Sequence, residues 1–181
     1  MKYFLTTLGC AKNTVDSMKI EQSLRSGRHL SAQSPDDADV LIVNTCGFID
    51  DAKDESIEVI KDLDNHRNTN QTLYVVGCLS EIAEEQVKQA VPKVDRIFGA
   101  EAWSDIAASF GSDATNYDIP QPSISNIGGI SAYLKLSDGC DRPCTFCIIP
   151  TIKGKMHSTS EDLLIAEAKL HAAMGVKELV L

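Results

Sequence analysis

Positive charge is scarce in this chain: 17 lysines and arginines face 26 aspartates and glutamates. The formal net charge is −9 and the pI is near 4.8. That balance argues against a protein that wraps nucleic-acid backbone with a broad basic surface. Long apolar runs are missing as well, and no stretch approaches the length needed to span a bilayer. The N-terminal stretch MKYFLTTLGCAKN holds too short an apolar run for a secretory signal, and Lys12 follows it. Internal repeats and low-complexity tracts are also absent. The expectation is a cytoplasmic protein with no membrane partner. In that compartment disulfides are rare, and clustered cysteines more often bind metal or react.

What remains is the composition of a folded domain, 43% hydrophobic and 24% charged over 181 residues. That length suits one large domain, or one domain and part of another. The first 110 residues alternate two periods. Strand candidates are 2–9 (KYFLTTLG), 38–46 (ADVLIVNTC), 72–78 (TLYVVGC) and, more briefly, 95–99 (DRIFG). Val40, Leu41, Ile42 and Val43 are apolar at consecutive positions, which suits a parallel strand covered on both faces.

Helical segments fall between the strands. Asn13 or Thr14 is a candidate cap for the first, which ends near Gly27. The second runs through DAKDESIEVIKDL, and the third carries Ala83, Val87, Ala90 and Val91 and stops at Pro92. The fourth sets Trp103, Ile106, Ala107 and Phe110 on one face, a stripe that reads as core packing. This βαβα order implies an α/β fold with a doubly wound parallel sheet.

The chain changes character at 112–131, where Gly, Ser, Asn and Pro dominate and periodicity is lost, as in a linker. The expected organisation is therefore a domain at 1–111, a linker at 112–131, and the start of a second, incomplete domain at 132–181. In the last part AYLKLSDGC reads as a strand and precedes a cysteine loop. A helix with Leu163, Ala166, Leu170 and Ala173 follows, then the strand-like VKELVL.

The six cysteines divide into two trios. Cys10, Cys46 and Cys78 each follow a strand candidate, at the sheet edge where α/β folds form ligand crevices. Cys140, Cys144 and Cys147 repeat the arrangement locally, as C-x3-C-x2-C. Neither trio has a fourth cysteine nearby, whereas structural zinc takes four protein ligands. His157 is a weak fourth ligand, and His29, His66 and His171 read as surface residues. Three thiolates suit an iron–sulfur cluster in which one iron stays open, although clusters ordinarily take four cysteines. The plainer alternatives are buried, inert strand cysteines in the first trio, and a non-catalytic iron–sulfur or zinc-binding module.

Longer stretches carry a resemblance. SDGCDRPCTFCIIPTIKG resembles the cluster loop of the radical S-adenosylmethionine (SAM) methylthiotransferases. LTTLGCAKNTVDS, ADVLIVNTCGFIDDAKDESI and VVGCL are similar to that family's N-terminal domain. The wording resembles the RimO type, which adds a methylthio group to the β-carbon of an aspartate in a small-subunit ribosomal protein. The tRNA-directed MiaB type is the alternative, and the acidic composition favours it less.

The resemblance implies a flavodoxin-like first domain, followed by the truncated start of a partial TIM-type barrel. It implies two [4Fe–4S] clusters and SAM as cofactors. Cys140, Cys144 and Cys147 would hold the cluster whose open iron chelates SAM, with Phe146 packing near the adenine. Cys10, Cys46 and Cys78 would hold the second cluster, where the sulfur to be transferred is attached. It also implies a ribosomal-protein substrate and an electron donor such as flavodoxin or ferredoxin. Lys153, His157 and Thr159 stand where the family usually carries arginines, and Met18 where an acidic residue is common. Most SAM contacts would lie beyond Leu181, so the chain by itself is expected to be catalytically inactive.

Overall fold

The computed structural model describes residues 1–111 and 130–181. These fall into two compact units, one within Met1–Ala114 and one within Thr115–Leu181. The proposed linker, apart from its last two residues, lies outside the described residues.

Five strands form the sheet of the first unit: β1 (Lys2–Thr7), β2 (Leu30–Ser31), β3 (Val40–Thr45), β4 (Thr72–Gly77) and β5 (Arg96–Ile97). Their order is β2-β1-β3-β4-β5 and every pairing is parallel. That is the strand order of the flavodoxin-like doubly wound fold. All six residues of β3 are buried: the apolar run Val40–Val43 and the polar Asn44 and Thr45 that follow it. Side chains alternate across a strand, so Leu41 and Val43 enter one core while Val40 and Ile42 enter the other.

The first core is closed by α2 (Asp50–His66) and α4 (Glu84–Ala90) through Ile57, Ile60, Leu63 and Val87. The opposite core is closed by α1 (Ala11–Ser26) and α5 (Trp103–Ser109) through Ile20, Leu24, Ile106 and the adjoining Phe110. Trp103 packs at the margin of this second core, and Phe110 meets Tyr3 and Tyr74 edge-on. The aromatic stripe is core packing.

Three boundaries differ from the sequence reading. Strand β4 stops at Gly77, and Cys78 opens a separate one-turn helix, α3 (Cys78–Ile82). Gly77 makes this break with φ of +106°, a region closed to most side chains, and a Cβ there would lie 2.4 Å from Asn44 Oδ1. The helix read as carrying Ala83 begins only at Glu84, because Ala83, with φ of −144°, is not helical. Helix α1 begins at Ala11 with Cys10 in the cap position. Asn13 is therefore inside the first turn and turned inward, not a cap.

In the second unit, β6 (Ser131–Tyr133) pairs in parallel with β9 (Glu178–Val180). Helix α7 (Glu161–Ala173) lies between them in sequence, ending before Gly175 at φ +88°. The stretch read as one strand is broken, since β7 (Ser137–Asp138) pairs antiparallel with β8 (His157–Ser158). Between β7 and β8 run the cysteine loop and α6 (Ile149–Lys153). His171 is 1% exposed, correcting its reading as a surface residue. Its Nε2 lies 3.7 Å from Glu167 Oε1, one turn earlier on α7.

Candidate functional site

Strands β1, β3 and β4 are immediate neighbours, and neighbouring strands lie about 4.8 Å apart. The segments leaving their C-terminal ends are therefore adjacent although the cysteines are far apart in sequence. The step from β1 to β3 is also the switch point of the sheet, where connections leave toward opposite faces. Cys10 caps α1 and is exposed; Cys46 and Cys78 are 6% and 8% exposed. None of the six cysteines is in a disulfide.

Close packing joins these segments. Gly9, at φ +90°, lies flat against Cys46: a Cβ built on it would be 2.6 Å from Cys46 Cβ and 2.8 Å from its Sγ. Cys46 is fixed through its backbone, because its N–H donates to Ser56 Oγ and its carbonyl accepts from the same hydroxyl, both at 3.0 Å. Ser56 is fully buried on α2, so the helix facing one core also sets the loop after β3.

Asn13 is the hub. It is 1% exposed, and its Nδ2 donates to Leu8 O and to Thr45 O, both at 2.9 Å. Its Oδ1 accepts from Cys78 Sγ at 3.4 Å. One amide thereby ties the segments after β1, β3 and β4 together. Asn44 completes the network, donating from Nδ2 to Asn13 O and Ser17 Oγ at 2.9 Å, while Thr7 Oγ1 donates to Ser17 Oγ at 2.6 Å. Such buried polar groups must be paired, and these pairings fix the sheet edge. Phe48 and Ile49, just past Cys46, are more than half exposed.

The second trio is built locally. Gly139, at φ +75°, passes so close to the Lys155 carbonyl that an added Cβ would lie 2.2 Å from its oxygen. Cys140 N–H donates to Gly154 O at 3.1 Å, and Met156 N–H donates to Asp141 Oδ1 at 3.1 Å. Within the loop, Cys147 N–H donates to Cys144 O at 3.1 Å. Arg142 N–H approaches Cys140 Sγ at 3.5 Å. Cys144 is exposed, Cys140 and Cys147 are half-buried, and Phe146 is 91% exposed.

A buried ionic cluster joins residues on either side of this loop. The Asp138 side chain is 2% exposed and ion-pairs with Lys135, and its Oδ2 is 3.5 Å from Lys153 Nζ, itself 4% exposed. Burial alone pushes the Asp138 carboxyl up. The Lys135 hydrogen bond, the Lys135 and Lys153 charges and the Gly139 N–H outweigh it and hold the group below the usual carboxylate range. Lys153 is thus turned inward against Asp138. His157, on β8, is exposed, with Nδ1 3.4 Å from Lys155 O.

The structure brings the segments bearing Cys10, Cys46 and Cys78 to one sheet edge, and Cys140, Cys144 and Cys147 to one loop. Among the described residues, no three His, Cys, Asp or Glu side chains are drawn together at metal-ligand geometry. Sequence reasoning missed Asn13, Asn44, Ser56, Lys135 and Asp138. Their signal is polarity out of period: Asn44 closes a run of four apolar residues, and Lys135 and Asp138 are spaced by three just before the loop.

The family described as "Uncharacterized protein family UPF0004" matches residues 2–99, which cover this sheet and its first three cysteines. The chain belongs to that family. It is also similar to curated proteins named "Ribosomal protein uS12 methylthiotransferase RimO". That of Chlorobium phaeobacteroides is 43% identical over 182 residues, covering 97% of this chain and 40% of that protein. Those of Pelodictyon phaeoclathratiforme and Myxococcus xanthus are 39% and 38% identical over 180 and 188 residues. They cover 98% and 97% of this chain, and 42% and 40% of those proteins. The chain spans about two fifths of the length of the curated relatives it matches. Among the described residues, no helix is long and apolar enough to cross a membrane.

Proposed function

We propose that this chain carries the two cysteine sites of a RimO-type radical SAM methylthiotransferase, which modifies an aspartate of a small-subunit ribosomal protein. The observation carrying this reading is the three-plus-three division of the cysteines: one trio on three adjacent strand ends, the other on one tight loop. Relatives named as uS12 methylthiotransferases, at 38–43% identity over nearly all of this chain, support the same substrate class.

The donor sets fit iron–sulfur clusters. Soft thiolates are the ligands of such clusters, and each site supplies three with no fourth cysteine in the sequence. Cys10, Cys46 and Cys78 would hold one cluster at the switch point of the sheet. Cys140, Cys144 and Cys147 would hold the other, beside the exposed Phe146 ring that offers a face for the adenine of SAM. Cys140, Cys144 and Cys147 would hold the cluster that, when bound and reduced, would supply the electron for SAM cleavage. The chain's own residues do the positioning: Asn13 and Ser56 fix the strand-end segments, while Gly139 lets the loop close on Lys155. The βαβ unit β6–α7–β9 is read here as the beginning of the partial barrel. A cytoplasmic setting and a flavodoxin or ferredoxin reductant complete the proposal.

The test is anaerobic reconstitution of the chain with ferrous iron and sulfide. About eight irons and eight sulfides per chain are expected, from two four-iron clusters. Replacing either trio by serine should remove half. One or two zinc ions with no sulfide would overturn the reading.

A further inference from the structure

The sheet of the first unit is covered unevenly. A crossover between parallel strands ordinarily takes about a dozen residues or more and is usually helical. Strands β2 and β3 are joined by residues 32–39 alone, with a single 3-10 turn, Pro35–Asp37, in place of a helix. This short connection passes β1, which lies between the two strands it joins. Strand β1 is thus left partly open on the face that carries α2. Phe4 sits at the margin of the core on that face, and Phe4 and Thr6 are only half-buried. The result is a groove of about 560 Å³. Phe4 and Thr6 form its floor, Pro35 stands on one side, and Val59 and Leu63 of α2 on the other.

The rim of this groove is acidic. Glu58 and Asp62 line it beside Val59 and Leu63, and no lysine or arginine does. Asp36, next to Pro35, is exposed. At 3.6 residues per turn, Asp51, Glu55, Glu58 and Asp62 fall on one stripe of α2, and all four are exposed. Asp51, in the first turn, suits the positive end of the helix dipole, but Asp62, near the last turn, does not. Asp62 Oδ1 lies 3.2 Å from Nδ1 of the exposed His66. The stripe covers about 16 Å of the helix axis and rises toward Ile49, the N-cap residue just past Cys46. It therefore leads from the groove to the sheet edge that bears the first cysteine trio.

An apolar floor between acidic walls matches a segment whose apolar side chains are flanked by lysine and arginine. Proteins that bind nucleic-acid phosphates carry such residues in excess, and a ribosomal protein is of that class. We propose that this groove docks a basic amphipathic segment of the ribosomal-protein substrate, and that the α2 stripe guides it toward the strand ends of Cys10, Cys46 and Cys78. The identity of the partner rests on the proposed function, whereas the preference of the groove for a basic amphipathic segment does not. Apolar contact supplies the anchor, and the exposed carboxylates chiefly set orientation and encounter rate.

Two probes test this on the full chain, at about 150 mM salt to screen long-range attraction. The first is a short amphipathic Leu/Lys peptide, with its Leu/Glu counterpart as control, read by amide chemical shifts. Shifts for the Leu/Lys peptide should gather at Phe4, Thr6, Val59 and Leu63, and the Leu/Glu peptide should produce none. E58K/D62K should weaken binding about tenfold. V59N, which changes no charge, should weaken it about threefold. E84K/E85K, on α4, makes the same change in net charge as E58K/D62K and should bind like the wild type. Glu58 and Asp62 are exposed, so E58K/D62K leaves the core intact, which Trp103 fluorescence verifies. Shifts gathered elsewhere, or equal weakening in E58K/D62K and E84K/E85K, would overturn the groove as a docking site. Self-association of the chain that V59N disperses would do the same, by making a second copy the occupant.

The second probe is purified ribosomal protein uS12. It should shift the same amides and displace the Leu/Lys peptide. Binding of uS12 at other amides, or none at all, would overturn the docking of the substrate here. Neither result touches the iron count, which tests the proposed function by itself.

Discussion

Replacing Asn13 by alanine should loosen the whole switch-point edge of the sheet. The side chain is 1% exposed and donates to two carbonyls, Leu8 O and Thr45 O, while accepting from Cys78 Sγ. Truncation leaves both carbonyls without that donor. A buried polar group stripped of its partner costs about 1–3 kcal/mol, and Leu8 O is only partly buried. The expected loss is about 2–4 kcal/mol. With a urea dependence of roughly 1.5 kcal/mol per molar for a unit of this size, the unfolding midpoint should fall by about 2 M.

Trp103 is the single tryptophan and lies on α5 of the first unit, so its fluorescence follows that unit. Cys78, 8% exposed in the wild type, should become more reactive toward a thiol reagent in the same variant. N13D should cost more than N13A, because it sets a carboxylate oxygen against a carbonyl in place of a donor. A midpoint shift under about 0.5 M for N13A, or an N13D variant as stable as wild type, would refute the role of Asn13 as a hub.

Further tests address other parts of the same frame. S56A removes the hydroxyl that both accepts from and donates to the Cys46 backbone; a loss of about 1–3 kcal/mol is expected in the same titration, with faster alkylation of Cys46. G139A sets a methyl against the Lys155 carbonyl at positive φ and should open the loop base, read as lost protection of the Cys140 amide with β6–β9 unchanged. The pKa of His29 is lowered by burial and then by the nearby N-terminal charge. The folded chain therefore holds this proton less tightly than the unfolded one. His29 should lower the urea midpoint as pH falls from 7.5 to 5 through the ordinary histidine range, and H29Q should flatten that dependence.

The sheet was legible because its strands obey the simplest pattern rules. An apolar run of four at Val40–Val43 suits a strand covered on both faces, and both faces are covered. The strand-end placement of Cys10 and Cys46 followed from the same reading. What escaped it was local backbone geometry and inward polarity. Nothing in the period of TLYVVGC shows that Gly77 adopts φ +106° and starts a new helix at Cys78. Asn13 and Thr14 have the composition of caps, yet the cap position went to Cys10, because Asn13 finds better partners in the carbonyls of two neighbouring segments. The family resemblance gave Lys153 only as a residue standing where arginine is usual, and the fold alone reveals the buried Asp138 carboxylate 3.5 Å from its Nζ.

The two trios differ in how they couple to folding, and the difference can be measured. The segments bearing Cys10, Cys46 and Cys78 become adjacent only when β1, β3 and β4 are paired, so an unfolded chain offers no equivalent arrangement. Cys140, Cys144 and Cys147 lie within eight residues, and an unfolded loop can still gather them at modest entropic cost. A metal that binds the folded form alone stabilises it by about 2.7 kcal/mol at one hundred times its dissociation constant, and binding to the unfolded form erodes that gain. Cobalt(II), a probe for thiolate ligation, should therefore raise the Trp103 urea midpoint of the wild-type chain. C46S should abolish the rise and C144S should leave it intact. An equal rise in C46S would show that the strand-end cysteines do not act as one site.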